Sequence, residues 1–131
     1  MRRFVDIETP YSAKEDREVI RNIRYTRAAM RDSLLRGEIP FASHLLYTQS
    51  GVLDDNLPDE RKMGIMAGKE LIEKLEATTV VYTDLGISKG MELGIGIAKK
   101  SKRKVVYRKL GKDWERKFLR TENGHSHNKI W

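Results

Sequence analysis

The stretch Thr79–Ala98 reads TVVYTDLGISKGMELGIGIA, three kinds of chain in succession. Val80, Val81 and Tyr82 form a short apolar run of the kind that makes a buried strand. Asp84 to Gly90 is polar and contains two glycines, which marks a turn. Met91, Ile95 and Ala98 then recur at helical spacing. Strand, turn and helix make the half-unit of an open α/β sheet, and ligands of such sheets bind at the carboxyl ends of the strands. The amides of Ser88 to Met91 fall at the helix start, where free N–H groups and the helix dipole favour an anion. Glu92 sits in the first turn of that helix. It is either a favourable first-turn charge or a carboxylate with chemistry to perform beside a ligand.

Outward from this unit the chain repeats the same alternation. Arg3–Glu8 reads as a first strand with Phe4, Val5 and Ile7 as its apolar members, stopped by Thr9-Pro10-Tyr11. Ser12 is placed as an N-cap with Glu15 three residues on, and a long helix runs to Arg36. Val19, Ile23, Met30 and Leu34 are its expected inner face, and Gly37 its C′ residue. Glu38–Phe41 is a short second strand, and Ala42–Tyr47 a turn of helix. Gln49–Glu60 is a loop by composition, long enough for a lid or a subunit contact. Arg61–Glu76 forms a second helix with Ile65, Gly68, Leu71, Ile72 and Leu75 inward. Thr78–Thr83 is the central strand, Ser88–Lys100 the third helix and Lys104–Arg108 the fourth strand. This order predicts an α/β, flavodoxin-like (Rossmann-like) three-layer sandwich with a mainly parallel sheet of four or five strands. The domain is expected over 1–111. Residues 112–131 form a C-terminal extension, partly mobile or at a subunit contact, in which Trp114, Phe118 and Leu119 suit one amphipathic turn or helix.

The chain's 131 residues suit one domain, and a hydrophobic fraction of 39% supplies a core. Lys and Arg number 26 against 19 Asp and Glu, a formal charge of +7. That balance suits anionic ligands such as nucleotides, nucleic acid or an acidic partner, and equally a plain basic surface. The absence of cysteine excludes disulfides, thiolate chemistry and Cys-based metal sites. No apolar run approaches a membrane span and the N-terminus lacks the apolar core of a signal peptide, so a cytoplasmic protein with no membrane partner is expected.

In a sheet of this order the carboxyl ends of the first three strands meet at one cleft. They bring Thr9, Pro10, Tyr11 and Ser12, then Ala42, Ser43 and His44, then Asp84, Ser88, Gly90 and Glu92. Such a set suits substitution at an anomeric carbon. A carboxylate such as Glu92 attacks C1′ of a nucleoside or nucleotide, and an acid, for which Asp84 is the candidate, protonates the leaving base. Ser12, Arg17 and Ser88 could hold a phosphate, although both serines serve equally well as helix caps. Tyr11 suits packing against a base or sugar, and His44 a contact to a base or ribose. His125 and His127 lie in a polar tail without an acidic partner, and no metal is expected there.

Gly90-Met91-Glu92-Leu93-Gly94 followed by Ala98, together with the opening strand and Pro10-Tyr11, resembles the nucleoside 2-deoxyribosyltransferase superfamily, which also contains nucleotide N-glycoside hydrolases. With Pro40–Leu46 and Arg61–Gly68 between them, the resemblance spans about residues 3 to 108. It implies a flavodoxin-like sheet, a homo-oligomer, no metal and no organic cofactor, with Glu92 as nucleophile and Tyr11 against the sugar. It implies that serines and an arginine grip a 5′-phosphate, here Ser12, Arg17 and Ser88. It also implies that neighbouring subunits complete the site, with Asn123, Asn128 or Trp131 as the C-terminal contributor. The chain departs from the pattern where the family often has an acid six residues before its glutamate: Gly86 stands there, and the nearest carboxylate is Asp84. Small size and an Arg-rich first helix are also like phage-encoded relatives of that superfamily.

Three functions follow as expectations. The first is hydrolysis or transfer at the N-glycosidic bond of a nucleoside 5′-monophosphate, deoxy for preference, with Ser12, Arg17, Ser88 and the Gly90 amide on the phosphate and Met91 beside them. The second is a non-catalytic protein that binds a nucleotide or nucleotide-derived signal in the same pocket. The third, ranked last, is nucleic-acid binding through Arg21, Arg24, Arg27 and Arg31 on the first helix.

Overall fold

The computed structural model describes residues 2–124. The elements are β1 (Phe4–Glu8), α1 (Asp16–Leu35), β2 (Ile39–Phe41), α2 (Ser43–Leu46), α3 (Pro58–Lys74), β3 (Thr78–Tyr82), α4 (Lys89–Lys100), β4 (Val105–Arg108) and α5 (Trp114–Gly124). Four parallel strands lie in the order β2-β1-β3-β4, the flavodoxin-like winding the alternation predicts. Asp6 pairs in register with Thr79 and Glu8 with Val81.

The two faces of the sheet differ in chemistry. Val5, Ile7, Val80 and Tyr82 point to one face and pack with Tyr25 and Ala29 of α1 and with Trp114. Val81 points to the other and packs with Met91 and Ile95 of α4. On this second face β1 contributes Phe4, which is exposed at the strand's start, and then Asp6 and Glu8 in place of buried apolar side chains. A parallel strand covered on both faces is ordinarily apolar throughout. FVDIE is not, and its two acids mark where the candidate site lies.

α4 follows the sequence reading closely. Ser88 caps it, its hydroxyl accepting from the Met91 amide at 3.3 Å, and Met91, Ile95 and Ala98 are buried. Gly37 takes φ +84 after α1, the left-handed conformation that a glycine C′ residue supplies.

α1 corrects the reading in two respects. It begins at Asp16 with Glu15 as N-cap, and Ser12 lies in the approach to the helix rather than capping it. Its buried residues are Asn22, Tyr25, Thr26, Ala29 and Ser33, whereas Leu34 is 58% exposed. The stripe is shifted because polar residues with partners can be buried. The Asn22 amide donates to the Tyr11 carbonyl at 2.9 Å, and the Thr26 and Thr9 hydroxyls share a bond of 2.6 Å. The Ser33 hydroxyl donates to Glu38 Oε1 at 2.8 Å.

α3 begins at Pro58, a residue suited to the first helical position, so the loop before it is shorter than its composition suggested. Gly68 and Ile72 are its buried residues, and Ile65 is exposed.

Glu38 ties the edges of the fold together. Its carboxylate accepts from Arg108 at 2.6 and 2.7 Å and from Arg3 at 2.7 Å, and both Glu38 and the Arg108 side chain are nearly inaccessible. These charge-assisted bonds hold the Glu38 carboxyl down to about 2.

α5 lies on α1. The Trp114 and Tyr25 rings meet edge to face at 5.0 Å, and Arg24 reaches Glu122 at 3.7 Å. The side chain of Asn123, and all of His125, His127, Asn128, Ile130 and Trp131, lie outside the described residues. Among the described residues no helix is long and apolar enough to cross a membrane.

Candidate active site

A cleft opens at the carboxyl end of β1, bounded by α2, α3 and the start of α4, with a cavity volume of about 150 Å³. β1 and the residues after it contribute Asp6, Glu8, Thr9, Tyr11 and Ser12, and α2 contributes Ser43 and His44. α4 contributes Ser88, Gly90, Met91 and Gly94 around its start, and Arg103 closes the floor. Of the residues picked from sequence, Tyr11, Ser12, His44, Ser88, Gly90 and Met91 are therefore brought together.

Asp84, Glu92, Arg17 and Pro10 are not among them. Asp84 is a latch. Its Oδ1 accepts from the Tyr25 hydroxyl at 2.5 Å and the Leu110 amide at 2.8 Å, and its Oδ2 from the Gly111 amide at 3.0 Å. Although burial opposes its charge, these bonds hold its carboxyl below the ordinary value, the reverse of what an acid catalyst needs. Glu92 is exposed on the outer side of α4, away from the cleft lining, and acts as a first-turn charge. We expect Glu92→Gln to change melting temperature by less than about 2 °C and to leave ligand binding intact, since exposed substitutions lie within about 0.5 kcal/mol. A differential scanning fluorimetry curve with and without ligand checks this. The Arg17 guanidinium bonds Glu15 at 2.8 Å and its side chain is 85% exposed, so the expected phosphate-holding arginine is outside the site. Pro10 is buried and off the cleft lining.

The cleft's chemistry lies in residues the sequence reading passed over. Burial raises the Asp6 carboxyl, against the pull of Arg103. Burial raises Glu8 well above 4.5, with the neighbouring Asp6 charge acting in the same direction. Two carboxyls and one guanidinium in one enclosed place cannot all be charged cheaply, so the pair retains a proton into the neutral range.

Gly94 is what lets Glu8 sit there. A Cβ at position 94 would overlap Glu8 Oε2 and lie 2.8 Å from the carboxyl carbon. Glu8 thus occupies a notch in α4 that glycine leaves open. Its carboxyl is the far end of a flexible side chain, so Gly94→Ala should displace it with little cost in stability. We expect that variant to melt within a few degrees of wild type, yet to lose the elevated Glu8 titration in a carbon-13 carboxyl NMR experiment.

His44 is neutral at physiological pH, pushed down to about 4 by burial. Its Nε2 meets the Thr9 hydroxyl at 3.1 Å, and the Tyr11 ring meets it edge-on at 6.1 Å. The two rings form a wall that suits a flat or sugar-like ligand. Among the described residues no three His, Asp or Glu side chains gather as a metal site.

Comparison with known families places residues 3–108 on a single family model, described as a domain of unknown function, DUF7768. The chain belongs to that family. The match covers every strand and the whole cleft, including Asp6, Glu8, Gly94 and Arg103, and stops before α5. No curated protein and no solved structure gives a match.

Proposed function

We propose that this domain makes or breaks the N-glycosidic bond of a nucleoside or nucleotide, with Glu8 rather than Glu92 as its working glutamate. The observation that carries the reading is the Glu8 carboxyl, seated in the Gly94 notch inside the cleft, beside Asp6 and Arg103. The likeness of the chain to the deoxyribosyltransferase superfamily points to the reaction class alone, since the glutamate on which that likeness rests, Glu92, is off the cleft lining.

Glu8 reacts as the carboxylate. Burial makes that form scarcer and more reactive, and the Arg103 guanidinium offsets the charge it carries. A Glu8 oxygen bonds to C1′ as the C1′–N bond breaks, and the electron pair leaves with the base, which gains a proton from water. Water then cleaves the glycosyl ester, returning the Glu8 carboxylate and the free sugar; a second base in place of water gives transfer. Tyr11 and His44 wall the sugar, while Ser12, Ser88 and the Gly90 amide line the entrance. Assembly into a homo-oligomer belongs to the same proposal and is read by light scattering.

The test is product analysis. The protein is incubated with the common ribo- and deoxyribonucleosides and their 5′-monophosphates, with and without a second base, and free base is separated by chromatography. Released base supports a hydrolase, and a new nucleoside a transferase. Saturable binding without either product would favour the binding protein instead.

A further inference from the structure

Beneath Glu8 the cleft floor holds two polar atoms that have no hydrogen-bond partner among the described residues. Asp6 is 2% exposed and its Oδ1 is unbonded. Arg103 Nε is also buried and unbonded. The two are neighbours by construction of the sheet. Thr79 stands opposite Asp6 in the β1–β3 register, and Arg103 Nη1 donates to Thr79 Oγ1 at 2.9 Å. Both residues line the same cleft. One buried acceptor and one buried donor, both unpaired beneath the same cleft, form half of a recognition site. Buried polar groups in folded proteins are ordinarily satisfied, and leaving them open is costly.

The missing half must donate to Asp6 and accept from Arg103 at once. A hydroxyl does both with a single oxygen. A phosphate only accepts, and an ammonium only donates. Asp6 and Glu8 are successive residues on one face of β1, roughly 6.6 Å apart at Cα. A ligand whose reacting carbon meets Glu8, turned with its adjacent carbon toward Asp6, sets that carbon's substituent over the Asp6 floor. Resting on the glycosidic reading above, we propose that Asp6 and Arg103 recognise the hydroxyl on the sugar carbon next to the reacting one, so that the site selects ribosyl over 2-deoxyribosyl substrates. This reverses the deoxy preference expected from sequence.

A site built around a hydroxyl discriminates strongly against a ligand that lacks it, because its own buried groups are then left unpaired. The test compares each ribonucleoside with its 2′-deoxy and 3′-deoxy counterparts, with and without 5′-phosphate, by base release and by ligand-induced melting shift. Ribo and 3′-deoxy substrates should exceed the 2′-deoxy series by about ten- to a hundredfold in kcat/KM or affinity. Asp6→Leu, which keeps the approximate shape but has no acceptor, should bring that ratio close to one, and circular dichroism confirms that the variant is folded. Asp6→Ala is the second variant if the leucine misfolds. A wild-type ratio near one with base still released would overturn the inference while leaving the glycosidic reading standing, and would mean that the floor holds a structural water only. A ribo preference unchanged in the Asp6 variants would overturn it as well. No response to any nucleoside or nucleotide would overturn both.

Discussion

Glu8→Gln should abolish turnover, by at least about a hundredfold, and at the same time make the protein more stable at alkaline pH. Glutamine keeps the shape of the side chain and its fit against Gly94 but supplies no nucleophilic carboxylate. The stability effect follows from the direction of the Glu8 titration. Its folded value lies above the ordinary 4.5, so its contribution is fully present below about pH 4.5 and is lost as the pH rises through the raised value. The ionised form is the one the fold disfavours, at about 1.4 kcal/mol for each pH unit by which the buried value exceeds the unfolded one. The neutral amide of the Glu8→Gln variant carries no such penalty. Thermal melts at pH 4 and pH 8 should therefore nearly coincide for the two proteins in acid and separate by several degrees in base. A glutamate kept at such a cost in stability is what a working site predicts. Equal melting temperatures at both values would mean that Glu8 ionises freely and is not held by the cleft.

Arg108→Met should be the most damaging substitution outside the cleft, at about 3 kcal/mol. It strips two charge-assisted bonds from the buried Glu38 carboxylate and leaves it with Arg3 and Ser33 alone, and a buried charge that loses a partner costs more than the pair contributes. Here the sign is opposite to that of Glu8. The Glu38 carboxyl is held down to about 2, so its stabilisation is present above its ordinary 4.5 and is lost as the pH falls toward 2. The deficit of Arg108→Met should be full at pH 7 and shrink as the pH approaches 2. Urea denaturation at pH 7 and pH 3 measures it, and a deficit independent of pH would assign the loss to packing of the arginine stem instead.

The strand–turn–helix from Thr79 to Ala98 announces the parallel sheet because its signals are local: an apolar run, a glycine turn and a helical period. The Ser88 cap and the Met91, Ile95 and Ala98 stripe are legible for the same reason. The inner face of α1 is not. Asn22, Thr26 and Ser33 are inside because Tyr11, Thr9 and Glu38 reach them from distant segments, and no periodicity of apolar residues records such bonds. The site divides in the same way. Tyr11, Ser12, His44 and Ser88 follow from where strands end, which the topology dictates. The motif points to Glu92 because a glutamate stands there, but its helical phase turns it outward. Asp6 and Glu8 carry a visible signal, two acids at alternate positions in a strand that a doubly covered sheet should make apolar. Gly94 carries none, because its part depends on a carboxyl that arrives from a strand more than eighty residues earlier in the chain.

The most direct measurement compares base release by wild type, Glu8→Gln and Glu92→Gln on the same nucleoside and nucleotide panel. With Glu8 in the cleft and Glu92 outside it, wild type and Glu92→Gln release base at similar rates and Glu8→Gln releases none. Release that survives in Glu8→Gln and vanishes in Glu92→Gln would contradict the assignment of the working glutamate.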